Sequence, residues 1–267
     1  MQTAVVAHRG ASAYRAEHTV AAYALAIEQG ADGLECDVRL TRDGHLVCVH
    51  DRRVDRTSSG SGAVSTLTLA SMAELDYGRW DATMPEHADD LVREPVATPG
   101  RHDRGLLTLE SLLDLVADSP GTRLFVETKH PVRYGGLVET ALIELLGRYG
   151  LASPKSKEDS PVVVMSFSTM ALRRVRQLSA TLPTVLLLSQ LGTLRWDGTL
   201  PRSADHTGPG VHLLRTDPDY VARAAAFGHH TYTWTVDDDA DIDLCRRLGV
   251  RWLATNSPAA TAARLTR

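Results

Sequence analysis

Short β-branched runs alternate with helical patterns of about ten to fifteen residues along this chain, and that rhythm restricts its fold more than any other feature. It is the pattern of repeated βα units, in which each strand feeds a helix that packs back on a parallel sheet. Strands are predicted over residues 3–8, 33–38, 46–50, 124–129, 162–167, 184–188, 210–213, 231–236 and 252–255. Helices are predicted over 19–29, 108–117, 136–149, 169–178, 218–227 and 238–248, several opened by Thr or Asp in capping position and followed by Gly30, Gly150, Gly228 or Gly249. The 267-residue length suits one α/β barrel domain. Nine strand candidates exceed the eight positions of such a barrel, so at least one is peripheral.

One stretch breaks the rhythm. Residues 51–105 lie between two strands yet are rich in Gly, Ser, Pro, His and Asp, which predicts an excursion over one barrel mouth whose 101–105 end is mobile. The chain balances 29 basic against 33 acidic residues without a long run of either sign, so neither a nucleic-acid partner nor membrane anchoring is expected. Residues 1–10 run straight into an apolar strand with no signal-like segment, and Cys36, Cys48 and Cys245 have neither disulfide nor metal-finger spacing. Reduced, buried thiols and a cytoplasmic location are expected. The sequence predicts no oligomeric state.

The chemistry concentrates on a few strands. Side chains alternate across a strand, so Glu35 and Asp37 share one face while Leu34, Cys36 and Val38 take the other. Two carboxylates inside a parallel sheet need either ion pairs with Lys or Arg or a hard cation. The same alternation places Phe125, Glu127 and Lys129 together, and a third carboxylate raises the case for a cation. An all-oxygen set suits Mg²⁺ or Ca²⁺, with Mn²⁺ a further candidate, over Zn²⁺. His8 and His50 each close a predicted strand, and barrel active sites sit at the carboxyl ends of strands. The other nine histidines lie in polar or loop contexts and receive no role.

The run AHRGASAYRAEHTVAAYALAIEQGADGLECDVRLTRDGHLVCVHD, followed by VDRTSSGSG, resembles the opening of the glycerophosphodiester phosphodiesterase family. It carries a His-Arg-Gly turn, a Pro-Glu-Asn/His-Thr-like box, a Glu-x-Asp strand and a His-Asp strand end. Later matches are LLTLESLLDLV, FVETK, Thr233-Trp234-Thr235-Val236 and Ala254-Thr255-Asn256-Ser257-Pro258, so the resemblance spans nearly the whole chain. Ala16 stands where the family usually has proline, which alters loop stiffness rather than chemistry.

The resemblance implies a single domain over 1–267: a TIM (β/α)8 barrel with a small insertion after the third strand. It also implies Glu35, Asp37 and Glu127 as ligands of one divalent cation, and His8 and His50 as an acid–base pair, with His8 preferred as acid and His50 as base. Arg9 and Lys129 become phosphate contacts, Glu17 the acidic residue of the box and Trp234 an aromatic lining the pocket. The implied enzyme is a phosphoric diester hydrolase that releases sn-glycerol 3-phosphate and an alcohol from a small phosphodiester. Two rivals keep the fold: a lysophospholipase D-type phosphodiesterase, which would need a broad apolar groove, and a non-catalytic barrel that binds metal or phosphate.

Overall fold

A computed structural model describes residues 3–78, 104–190 and 196–266. Eight strands run parallel: β1 (Ala4–His8), β2 (Gly33–Leu40), β4 (Arg123–Thr128), β5 (Val162–Ser166), β6 (Thr184–Leu188), β7 (His206–Pro209), β8 (Tyr232–Thr233) and β9 (Trp252–Thr255). Their hydrogen-bonded order is β7-β6-β5-β4-β2-β1-β9-β8. The ring closes between the end members through bridges from Thr207 to Thr231 and from Gly210 to Trp234. Pro209 has no N–H for a ladder there, but its carbonyl accepts from the Thr233 hydroxyl at 2.8 Å. The architecture is a TIM barrel.

The remaining strand is the peripheral one that the count of nine implied. β3 (Leu46–Cys48) pairs antiparallel with β2, Leu46 opposite Leu40 and Cys48 opposite Val38. It is therefore the returning arm of a hairpin and not a third barrel strand, and the insertion follows it between the second and third barrel positions. His50 thus reaches the mouth by folding back along β2, where Val49 N–H donates to Asp37 C=O at 3.0 Å, rather than by ending a parallel strand.

A second correction concerns residues 210–213. The strand is His206–Pro209, and helix α6 (Val211–Thr216) begins directly after it. A four-residue apolar run has no period long enough to separate the two states. The other helices include α1 (Val20–Glu28), α3 (Leu109–Ala117), α4 (Leu137–Arg148), α5 (Thr169–Leu178), α7 (Tyr220–Ala226) and α8 (Asp239–Leu248), and they fall close to their predicted spans. Thr19, Thr108 and Ser168 cap three of them by accepting a backbone N–H. Besides α6, two helices among the described residues were not predicted: α2 (Leu69–Ala73) and α9 (Pro258–Leu265).

Strand alternation divides the core in two. Leu34, Cys36, Val38, Leu124, Val126, Val162 and Val164 face outward into a layer with the helices. Val6, Phe125, Val163, Met165, Val185, Leu187, Tyr232, Trp252 and Ala254 fill the barrel interior. There the Phe125 ring lies 5.4 Å from Tyr232 and 5.7 Å from Trp252, contacts worth about 0.5–1.5 kcal/mol each beyond burial. All three cysteines are buried with free thiols.

The described part of the insertion packs Val54, Val64, Met72 and Tyr77 against Val47 of β3 and Val49 in a small core. Residues 79–103, with His87, His102 and most of the 101–105 end, lie outside the described residues.

Candidate active site

β2 and β4 pair with Asp37 opposite Glu127, so the alternation of each strand delivers its carboxylates to the same interior point. Glu35, Asp37 and Glu127 are all buried, and one carboxylate oxygen from each lies within 4.8 Å of the others. Two cations are laid against them. Lys129 Nζ stands 2.9 Å from Glu127 Oε1 and 3.2 Å from Asp37 Oδ1. Arg9 Nε lies 3.1 Å from Asp37 Oδ2, and the Arg9 backbone N–H donates to Glu35 Oε2 at 3.0 Å.

Arg9 can present its main chain this way because it adopts a left-handed conformation, φ 58°. His18, at φ 57°, braces it by donating its backbone N–H to Arg9 C=O at 3.1 Å. Gly10 at φ 85° completes the turn. A Cβ there would stand 2.7 Å from the Ala22 backbone, which explains glycine after His-Arg.

The charges do not balance. Burial, with Asp37 beside it, holds the Glu35 carboxyl well above the usual carboxylate range, and burial moves Glu127 to about 8 despite Lys129. Burial also pushes Asp37 upward, but Lys129, His50 and Arg9 outweigh it and keep that carboxyl well below its ordinary value. Three acidic oxygens against two cations, with two carboxyls driven toward protonation, is the chemistry of a site that a hard divalent cation would complete.

Above this cluster opens a cavity of about 290 Å³, lined among others by His8, Arg9, Glu35, His50, Glu127, Lys129 and Trp234. Asp37 and Glu17 are not among its lining residues. Glu17 instead lies 3.3 Å from Arg9 Nη1 and accepts a bidentate pair from Arg56 at 2.7 and 2.8 Å.

Each of the two histidines at the mouth has a fixed tautomer. Asp237 can only accept, and it takes both the Asn256 backbone N–H at 2.8 Å and its Nδ2–H at 2.7 Å. The Asn256 oxygen therefore faces His8, whose Nδ1–H donates to it at 2.8 Å. His50 Nδ1–H donates to Asp51 Oδ1 at 2.8 Å, and Arg39 pins the His50 carbonyl at 2.9 and 2.6 Å. With Nδ1 engaged in each ring, Nε2 is the nitrogen through which each can exchange a proton with a substrate. Their electrostatics differ: burial and Arg9 push the His8 imidazole down to about 3, with only a neutral amide at Nδ1, whereas His50, lowered chiefly by burial, has a carboxylate to support its charged form.

Several site residues had no role in the sequence reading. His18 is buried with Nε2 3.0 Å from Asp37 Oδ2 and Nδ1 2.8 Å from the Tyr23 hydroxyl. Arg56 spans Glu17 and Asp51, with Nε 2.8 Å from Asp51 Oδ2. Asn256 and Asp237 orient His8. Phe167 packs edge-on to Trp234 at 5.4 Å and, with Met165 and Leu187, makes the apolar wall of the cavity. An Arg within the insertion and an Asn just before the last helix were the available signals, but their partners lie 39 and 248 residues away.

Residues 8–260 match the glycerophosphoryl diester phosphodiesterase family. The chain is 52% identical over 262 residues to a protein of Mycobacterium tuberculosis named probable glycerophosphodiester phosphodiesterase 1, covering 97% of this chain and 91% of that one. It is 34% identical over 257 residues to glycerophosphodiester phosphodiesterase of Bacillus subtilis, covering 95% and 83%. In fold it resembles an Oleispira antarctica phosphodiesterase solved with the product sn-glycerol-3-phosphate, at a TM-score of 0.81, 22% identity and coverage of 100% and 98%.

Proposed function

This chain belongs to the glycerophosphoryl diester phosphodiesterase family, and on that premise we propose that it hydrolyses glycerophosphodiesters to sn-glycerol 3-phosphate and an alcohol. The observation that carries the reading is the placement of two histidines of defined tautomer over a buried three-carboxylate cluster flanked by Arg9 and Lys129.

A phosphodiester resists attack because its anionic oxygens repel nucleophiles and its alkoxide leaves poorly. Arg9 and Lys129 line the cavity and meet the first difficulty by binding the non-bridging oxygens as negative charge accumulates on them. Glu35, Asp37 and Glu127 would hold one divalent cation, which supplies further positive charge at the phosphoryl oxygens. Glu17 and His18 act behind this layer: Glu17 orients Arg9, and His18 orients Asp37.

His50 and His8 divide the proton transfers. His50 acts as the base: it takes a proton at Nε2 from the attacking hydroxyl, of water or of the substrate's own glycerol, the second route giving a cyclic phosphate that water then opens to glycerol 3-phosphate, while Asp51 stabilises the imidazolium that forms. His8 is the acid. Burial and Arg9 favour its neutral form, so the anionic substrate has to supply the charge that lets the ring hold a proton, and Asn256 keeps Nδ1 engaged so that this proton passes to the departing alkoxide from Nε2. The Phe167–Trp234 wall receives the alcohol portion. The insertion, within a single catalytic domain over 1–267, covers the mouth and sets substrate preference, a role that Arg56's reach to Glu17 and Asp51 supports. Among the described residues no helix is long and apolar enough to cross a membrane.

Turnover of glycerophosphocholine by the purified protein, with and without exhaustive chelation, tests the proposal. Release of glycerol 3-phosphate that stops on chelation and returns with Mg²⁺, Ca²⁺ or Mn²⁺ supports it. Absence of turnover with every metal would leave a binding barrel.

A further inference from the structure

The opposite mouth of the barrel, where the strands begin, encloses a second cavity of about 490 Å³. Val6, Gly33, Arg123, Phe125 and Trp252 line it at the starts of β1, β2, β4 and β9, together with Arg251. Gly33 keeps the space open, since a Cβ there would stand 3.0 Å from both the Phe125 ring and the Arg123 carbonyl oxygen. Two guanidinium groups converge on one indole: Arg251 lies 4.9 Å and Arg123 6.0 Å from the Trp252 ring centroid.

Like charges gathered in a half-buried cavity need an anion. Two carboxylates also line this cavity: Asp32, whose Oδ2 already accepts the Val5 backbone N–H at 2.7 Å, and Glu158. Arg251 pairs with the Glu158 carboxylate, whose side chain is 60% exposed, and exposed pairs of this kind contribute little. Arg123 donates to the backbone carbonyl of Glu158 and, among the described residues, has no carboxylate within ion-pairing distance. Burial and the neighbouring Arg251 accordingly push the Arg123 pKa down. None of these residues takes part in the chemistry at the carboxyl ends of the strands.

We infer that this amino-end mouth is a second ligand site, which takes a small molecule bearing a phosphate-class oxyanion. The guanidinium forks of Arg123 and Arg251 match the oxyanion, as planar donors do for phosphate. Val6, Phe125 and Trp252 receive an apolar or aromatic body, and Glu158 is the competitor that the ligand displaces.

Titration of the full chain with phenyl phosphate and, separately, with inorganic phosphate, followed through the Trp252 indole N–H resonance, tests the site without relying on catalysis. Saturable movement of that resonance is expected. Arg123→Gln should weaken binding at least about tenfold. Glu158→Gln should strengthen it, which a merely structural Arg251–Glu158 pair would not do. Glycerophosphodiester turnover at low phosphate should stay unchanged in both variants. Tighter binding of phenyl phosphate identifies an ester with an apolar body as the occupant, and equal binding identifies the free anion. A Trp252 resonance that neither compound moves, or whose response is the same in wild type and both variants, overturns the inference.

Discussion

Asp51 holds His50 by its ring: Oδ1 accepts the Nδ1 proton at 2.8 Å, while the same carboxylate is anchored by Arg56, Nε to Oδ2 at 2.8 Å. Burial would raise this carboxyl, but His50 and Arg56 outweigh it and keep the group ionised far below neutral pH. The carboxylate is therefore a permanent charge beside the imidazole. It sets which nitrogen faces the cavity and supports the ring when it takes a proton.

Asp51→Asn removes that charge with little change in shape. We expect kcat for glycerophosphocholine to fall about 10- to 100-fold while KM changes little, because the group acts through His50 rather than on substrate. Arg56→Met should move kcat in the same direction by a smaller factor. Steady-state kinetics of both variants decide the matter. An unchanged kcat in Asp51→Asn would remove Asp51 from the mechanism.

The two histidines should respond differently to the leaving group. His8→Ala and His50→Ala are each expected to lose about 10²- to 10⁴-fold in turnover of an alkyl diester. A nitrophenyl diester needs little protonation as it leaves. It should restore most of the loss in His8→Ala and little in His50→Ala, and equal rescue of both would contradict the division of roles.

A divalent cation should stabilise the fold through the three carboxylates. Saturating Mg²⁺ or Ca²⁺, at about 100 times Kd, contributes about 2.7 kcal/mol, which for a domain near this size raises Tm by roughly 5–10 °C. Glu127→Gln and Glu35→Gln should each diminish that increment, because each removes an anionic oxygen. In metal-free buffer neither should be grossly destabilised, since burial already presses both carboxyls toward the neutral form. Thermal denaturation with and without metal measures both effects. A metal-induced rise that is identical in wild type and variants would relocate the cation.

Acid should weaken the fold in part through His206. Burial in the amino-end mouth, with His230 and Arg251 nearby, pushes this imidazole down to about 4 from 6.5. Below pH 6.5 the unfolded chain takes up a proton that the folded chain refuses. The stability this group contributes is therefore intact above 6.5 and lost as pH falls toward 4, a change of at most about 3 kcal/mol. His206→Asn should flatten the fall of Tm between pH 7 and 4.5, leaving the part due to His8, whose imidazole is also depressed. A slope as steep as wild type would show that His206 is not a cause.

What could be read from the chain was whatever covalent geometry makes local. Side chains alternate along any strand, so Glu35 with Asp37, and Glu127 with Lys129, had to share a face, and the structure turns both pairs to the barrel interior. The helical periods and their capping residues were local for the same reason. What depends on closing the chain was not legible. Residues 46–50 read as another barrel strand, because a β-branched run does not reveal whether its neighbour is parallel or antiparallel; only the hairpin to β2 made β3 a returning arm and set the position of His50. Residues 210–213 were too short to show a period, and the barrel's last seam made them the start of a helix. His18, Arg56 and Asn256 reach the site through contacts with Asp37, Glu17 and His8, partners 19, 39 and 248 residues away. Local sequence determines which atoms a segment can present, but tertiary folding decides which of them share a low-dielectric space, and only there do their charges and protons become coupled.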